Sequence, residues 1–533
     1  MDCTSTLIPY HQTGAFSRIV LDYIDRSETL ASFMGFSPSE EGVQKAIEAR
    51  KKFPTNRQLL VGELKKQYGA LKTTGYVQKN IEALLSPDTF TITTAHQNNI
   101  FTGPLYFIYK ILHAIRLAGH LNESFPDCKF VPVYYIGSED ADFDELNHIY
   151  LDGEKITWNT RQTGAVGRMK IDQELIKLID VIKGQIAVLP RGKEAIELIS
   201  DCYRLGEDVQ TATFKIVNAL FAEFGLIVLL PDNAVLKQQM QHVFQDDLLN
   251  QAASAIVAET SAQLGELYKV QAHPREINLF YLKDNLRERI EIRGSKYEVV
   301  HSRLSFTREE MLTELKQHPE RFSPNVILRG LYQETILPNI VFIGGGGELA
   351  YWLELKKLFE HYEVPYPVQV LRNSFLLIEK KWQEKIRKLG FTNEEIFLPE
   401  QELINRLVSR ETDKKLQLNG TLTATEQLYE TIKKQASSVD ITLEKHVDSL
   451  KTASIHRLRE LEKKMLRAEK RKFADQQHQI ISIKKKLFPG SGLQERYDNL
   501  LCYYAKWGQS FINKLEEHSL TLEQKFIVLS ITE

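Results

Sequence analysis

The chain has 533 residues, 43% of them hydrophobic, and its 68 Lys plus Arg nearly balance 70 Asp plus Glu for a formal charge of −2. This length and apolar content suit a large core shared among two or three domains, and the charge balance argues against a surface built wholly for nucleic acid. Cys3, Cys128, Cys202 and Cys502 form no C-x-x-C pair, no apolar run reaches about 18 residues, and no secretory leader is visible, so a soluble cytoplasmic protein without a metal-ligand motif is expected.

Residues 1–88 read as helical, with Phe16, Ile19, Val20, Tyr23 and Ile24 at helical spacing and a polar helix over 39–52. An α/β region follows over 89–376. Residues 90–94 (F-T-I-T-T) have the composition of a buried strand, a polar loop follows at 95–102, and Gly103-Pro104 precede an apolar-periodic helix over about 104–119. Residues 129–136 (K-F-V-P-V-Y-Y-I) form the next strand, so the crossover helix implies parallel pairing. Ligands of open parallel sheets bind beyond the carboxyl ends of the strands, where residues 95–102 and 137–148 fall.

Inserts are expected at about 149–215 and 255–325. The first opens with a hairpin signal around Asp152-Gly153, and the second carries a β-meander over 278–300, followed by a capping box of Thr307 with Glu310. Residues 225–231 return as a buried strand. A second strand–turn–helix unit follows: strand 339–343, the glycines 344–347, a helix over 348–361, and strand 367–371 ending at Arg372-Asn373-Ser374. The glycine spacing is not G-x-G-x-x-G and no Walker loop is present; a close anion contact and a tight turn without a ligand both fit it.

From 377 to 533 the character is that of a helical arm with C-terminal helices. Leu443, Val447, Leu450, Ser454, Leu458, Leu461, Met465 and Ala468 form a stripe that Ile480, Ile483 and Leu487 resume after one slip, and no proline or glycine interrupts 441–488. One helix of roughly 70 Å is expected, with 423–438 as an antiparallel partner and a dimer through the arm. Residues 441–488 hold 13 Lys plus Arg against 6 Asp plus Glu, a solvated coiled-coil face or, less simply, a nucleic-acid contact.

The run H-Q-N-N-I-F-T-G-P-L-Y-F-I-Y-K, then V-P-V-Y-Y-I-G-S-E-D-A-D-F-D-E-L-N-H, F-I-G-G-G-G-E-L-A-Y-W and L-F-P-G-S-G-L-Q-E-R, in that order, resembles the cysteine-adding enzyme family of bacillithiol biosynthesis over nearly the whole chain. The family pattern more commonly has T-G-Q-Q where Ala95-His96-Gln97-Asn98 stand, and E-D-H-D where Glu139-Asp140-Ala141-Asp142 stand; a step needing a histidine at position 141 is therefore not expected. The resemblance implies a Rossmann-like core with connecting inserts, a coiled-coil dimerisation arm, and condensation of cysteine with glucosaminyl-malate.

Amide formation from a free carboxylate needs activation, which ATP or another nucleotide with Mg²⁺ would supply, or a carrier-bound cysteine in its place; the sequence leaves these open. Glu139, Asp140, Asp142 and Asp144 form an acidic cluster suited to an ammonium group, to Mg²⁺ or to taking a proton from the amine, or else only to opening a helix. The catalytic candidates are Glu139, Asp140, Asp142 and His148, the last equally readable as a structural hydrogen-bond partner. Substrate-binding candidates are Gln97, Asn98, Gly103, Tyr109, Lys110 and Asn147 from the first unit, and Gly345, Gly346, Glu348, Arg372 and Ser374 from the second. Tyr109 and Lys110 are expected toward the cleft, Tyr106 equally suits packing, and Trp352 reads as core. Gln494, Arg496 and Tyr497 suit a nucleotide or a closing helical turn, and Arg168 with Lys170 is a weaker basic candidate. The alternatives are a noncatalytic dimeric sugar-acid- or nucleotide-binding protein, and an aminoacyl-tRNA-synthetase-like enzyme, whose H-I-G-H and K-M-S-K-S patterns are absent.

Overall fold

Five buried runs of the chain assemble into one parallel sheet: β1 (Thr89–Gln97), β2 (Lys129–Gly137), β3 (Ile227–Leu229), β4 (Asn339–Gly344) and β5 (Val368–Leu371). The computed structural model describes residues 1–69, 71–412 and 417–532. The strand order is β5-β4-β1-β2-β3, and every neighbouring pair is parallel. β4 and β5 are wholly buried, as strands covered on both faces must be. The threonines of β1 satisfy their hydroxyls inside the sheet: Thr91 and Thr93 donate to Asn339 Oδ1 at 3.1 and 2.8 Å, and Thr94 to the Ile343 carbonyl at 2.8 Å. The result is the Rossmann-like α/β core that the alternating strands and helices imply.

The chain order of these strands creates the crevice. β1 continues through α1 (Tyr106–Ser124) to β2 on one side, whereas β4 continues through α2 (Gly346–Trp352) to β5 on the other. Since β1 and β4 are neighbours, their connections diverge, and the gap at their carboxyl ends is a topological switch point. α1 runs past Gly119, its expected end, because its buried face continues to Leu121, outweighing a glycine penalty of about 1 kcal/mol. The expected helix 348–361 is divided into Gly346–Trp352 and Lys356–His361. Between them the buried Glu354 turns inward to accept from the amides of Gln271 and Ala272 at 2.9 and 3.0 Å.

The hairpin His148–Leu151 with Glu154–Thr157, the antiparallel run Leu279–Lys283, Leu286–Arg293 and Lys296–Val299, and the Thr307–Glu310 capping box all form. The N-terminal segment, expected to be helical throughout, begins instead with a strand, Cys3–Ile8, paired antiparallel with Phe526–Ile531. Its sparse apolar content hides it from a periodicity reading, since its buried partner supplies the core.

The chain divides into two compact units, 1–11, 15–377 and 492–533 forming the first, and 12–14 with 378–491 the second. Residues 492–533, expected to belong with the arm, therefore return to the first unit, where Phe526–Ile531 completes its sheet pairing. In the second unit Asn419–Val439 and Leu443–Lys470 form an antiparallel hairpin, cross-linked by Lys433 to Asp448 at 2.7 Å, Glu430 to Lys451 at 2.8 Å and Tyr429 to Ser454 at 2.7 Å. The long helix is not continuous to residue 488: a 3₁₀ turn at Arg471–Phe473 separates Leu443–Lys470 from Ala474–Leu487, with the Gln477 amide taking the Lys470 carbonyl. The slip in the apolar stripe falls at this break. Among the described residues no helix is long and apolar enough to cross a membrane.

Candidate active site

A cavity of about 550 Å³ opens at the switch point. Ala95, His96 and Gln97 at the end of β1 form one wall with Tyr106 and Lys110 of α1; the β2 end contributes Gly137, Ser138, Glu139 and Asp140. The opposite wall is the glycine turn Gly345–Gly347 with Glu348 and Tyr351, next to Arg372 beyond β5. Phe280 and Arg287 from the meander, Arg329 from the helix Val326–Ile336, and Arg496 complete it. Its size is that of a small-molecule site.

Lys110 clasps the two sides of the switch point. Its buried ammonium donates to the Ala95 carbonyl at 2.7 Å and pairs with Glu348, whose Oε2 also accepts from the Gly345 amide at 2.8 Å. Burial lowers the Lys110 pKa, and the Glu348 charge offsets part of that. His96 is held neutral: burial, then the charges of Lys110 and Arg372, push its pKa well below the usual imidazole value.

The acids at the β2 end are also engaged. Glu139 pairs with the fully buried Lys237, which lies 3.5 Å from Asp232; Asp232 in turn receives a bidentate pair from Arg168 at 2.6 Å. Asp140 accepts from Gln97 Nε2 at 2.6 Å and from the Asp142 amide at 3.0 Å.

Two cations stand apart. Arg287 lies with its Cζ 3.9 Å from the centre of the Phe280 ring and donates to Ser323 Oγ at 3.2 Å; Arg329 donates to the Tyr351 hydroxyl. Neither forms an ion pair with a carboxylate among the described residues. Burial lowers the Arg287 pKa despite the nearby charges of Asp140 and Glu139, and pushes the Tyr351 hydroxyl up to about 12. A half-buried guanidinium without an ion-pair partner is suited to an anionic ligand.

Residues 1–373 match the family description "Bacillithiol biosynthesis BshC, N-terminal Rossmann-like domain", and residues 375–531 match "Bacillithiol biosynthesis BshC, C-terminal coiled-coil domain". The chain belongs to the BshC family of bacillithiol biosynthesis. Its similarity to BshC proteins is end to end. A protein named "Putative cysteine ligase BshC" from Flavobacterium psychrophilum is 38% identical over 531 residues, 99% of each chain, and one of the same name from Flavobacterium johnsoniae is 37% identical over 532 residues, again 99% of each. A third, from Cytophaga hutchinsonii, is 39% identical over 94% of each chain.

Of the sequence candidates, this BshC chain brings Gln97, Lys110, Glu139, Asp140, Gly345, Gly346, Glu348, Arg372 and Arg496 to the cavity. Others lie elsewhere. Tyr109 faces the core, its ring centre 4.7 Å from that of Phe375, because the helix turns it away from the face carrying Tyr106 and Lys110. Asn98 is buried against Thr213 at 2.9 Å, and Gly103 belongs to a positive-φ turn behind the wall. Asp142, Asn147 and His148 lie outside the lining; His148 Nδ1 meets its neighbour Asn147 Oδ1 at 3.0 Å, the structural alternative. The expected acidic cluster is thus divided, and no group of three metal-ligating side chains occurs among the described residues.

The C-terminal candidates also separate. Gln494 is a backbone clasp, accepting from the Leu377 amide at 2.9 Å and donating to its carbonyl at 3.2 Å, and Tyr497 stacks on Tyr150 at 3.8 Å. Ser374 is buried beside Arg372 and Glu495. Arg168 is committed to Asp232, and Trp352 is core as expected. Arg287 and Arg329 lie outside every sequence candidate, since an arginine in a meander and another inside a helix carry no local signal of a site.

Proposed function

We propose that this chain is a ligase that forms an amide bond between the carboxyl of cysteine and the amine of glucosaminyl-malate. The observation that carries this reading is the pair of half-buried guanidinium groups, Arg287 and Arg329, which form no ion pair among the described residues and line a cavity large enough for a sugar acid. A malyl group supplies two carboxylates, and an arginine fork matches a carboxylate bidentately. Arg496, exposed at the cavity, adds positive potential.

Glu139 and Asp140 are proposed to receive the amine. Its lone pair attacks the carbonyl carbon of an activated cysteinyl group, the C–N bond forms as the leaving group departs with its electron pair, and the amine proton passes to a carboxylate at the β2 end. Gln97 orients Asp140 through its 2.6 Å hydrogen bond. ATP or another nucleotide with Mg²⁺ is the proposed source of activation. The glycine turn does not fit its phosphate, because the Glu348 carboxylate already occupies the Gly345 amide.

We also propose a cytoplasmic homodimer formed through the arm, on which Leu443, Leu450 and Leu461 remain exposed; light scattering at the mass of a monomer would overturn this. The reaction is tested by mass spectrometry of protein incubated with glucosaminyl-malate and cysteine, with and without ATP and Mg²⁺. A cysteinyl product is expected; folded protein that binds the sugar acid in every mixture but forms no product would favour a binding protein.

A further inference from the structure

The residues between β1 and α1 form a strained turn. Phe101, Thr102 and Gly103 take φ of 48°, 71° and 62° in succession, and two of the three are not glycine. Such conformations cost free energy and persist only where the surroundings over-determine them. Here the restraint comes from a residue 398 positions downstream of Phe101. Asn499, 1% exposed, donates from Nδ2 to the carbonyls of both Phe101, at 2.9 Å, and Gly103, at 2.6 Å.

Asn499 is itself held on three sides. Its Oδ1 accepts from the Leu501 amide at 2.9 Å and its own amide donates to the Tyr150 carbonyl at 3.2 Å, while the adjacent Asp498 carbonyl accepts from Leu105 at 2.9 Å. A second tie reaches the turn from Tyr203, whose hydroxyl accepts from the Phe101 amide at 2.7 Å. The turn lies between His96 and Gln97 at the end of β1 and Tyr106 and Lys110 in the first turns of α1, all four on the cavity wall. Where the turn sits therefore decides where α1 begins, and with it the placement of the Lys110 clasp.

We infer that Asn499 is a positioning residue of the cavity: by bridging the two carbonyls that flank Thr102 it holds the positive-φ turn, and thereby Tyr106 and Lys110, in the binding arrangement. This rests on the reading of the cavity as the acceptor site. Neither Asn499 nor the turn touches the cavity, so the effect is transmitted through α1. A shorter side chain frees both carbonyls, and Phe101 and Thr102 can relax toward negative φ.

The test compares native protein with Asn499→Ala, and with Tyr203→Phe as a milder variant should the first fail to fold. Hydrogen exchange of peptides within residues 98–110 is read by mass spectrometry, and the affinity for L-malate by calorimetry. At least tenfold faster exchange confined to these peptides, with at least tenfold weaker malate binding and a nearly unchanged thermal midpoint, is expected. Exchange within twofold of native in folded Asn499→Ala overturns the inference, as does exchange raised equally throughout the first unit, which marks a merely structural role. Native protein that does not bind malate overturns the acceptor-site reading, and the positioning of the turn is then decided by exchange alone.

Discussion

Arg372 and Glu495, separated by 123 positions in the chain, form a buried ion pair at 2.7 Å beside the cavity. Glu495 also accepts from Ser374 Oγ and the Phe375 amide, both at 3.2 Å, while Arg372 holds the Asn373 carbonyl at 2.9 Å and lies 5.0 Å from the Tyr106 ring centre. One carboxylate thereby fixes the chain beyond β5. Glu495→Leu alone leaves the guanidinium buried without a counter-charge and is expected to cost about 3–5 kcal/mol, whereas Arg372→Met with Glu495→Leu together should recover most of that. Thermal unfolding of the four proteins in the cycle checks it; a loss in the double variant equal to the sum of the two single losses would show that the pair is not coupled.

Arg329→Met removes one of the two guanidinium groups lacking a carboxylate partner. A charge-assisted hydrogen bond contributes roughly 1.5–3 kcal/mol, so glucosaminyl-malate should bind about 10- to 100-fold more weakly, with a thermal midpoint little changed because Arg329 is only half-buried and forms no ion pair. Calorimetry measures the first and thermal scanning the second. Unaltered affinity would remove Arg329 from the acceptor site.

The division of the acidic cluster separates two variants. Asp140 lines the cavity and Asp142 does not. Asp140→Asn should lower kcat by about 10²–10⁴-fold if its carboxylate takes the amine proton, whereas Asp142→Asn should stay within about twofold, since Asp142 contributes its backbone amide to Asp140 and that amide survives the change. Equal effects in the two would contradict this division.

His113 on α1 donates from Nε2 to the Thr521 carbonyl at 2.7 Å and accepts at Nδ1 from the Asn373 amide at 3.1 Å, so the neutral Nε2–H tautomer is required. Burial lowers its pKa from 6.5 to about 4. Below pH 6.5 the unfolded chain takes a proton that the folded chain refuses. The contribution is therefore fully present above pH 6.5 and lost as the pH falls toward 4, by roughly 3 kcal/mol in all. Thermal midpoints from pH 7.5 to 4.5 should fall less steeply in His113→Gln than in the native protein; parallel slopes would exclude His113 as the source.

Much of the site's frame was legible in the sequence because parallel strands advertise themselves. The runs at 90–94, 129–136 and 339–343 are too β-branched and apolar to be anything but buried strands, and the polar residues that follow them mark the carboxyl ends. Gln97, Lys110, Glu139, Asp140 and Glu348 were found that way. Asp142 and His148 were misplaced because they are near Asp140 in sequence while the chain turns away after it. Tyr109 was misplaced by one position of a helix, where 100° separates cavity from core.

The Rossmann-like core, the arm and the family are readable without coordinates, because those depend on periodicity and on motifs contained within short stretches. The cavity's charge and its supports arise only when distant elements pack together. Arg287, Arg329, Glu495 and Asn499 come from a meander, a helix and a returning C-terminal segment, and nothing local distinguishes them from surface or core residues. Their significance comes from desolvation and from partners on other elements, up to 398 positions away for Asn499, quantities that exist only once the chain has folded.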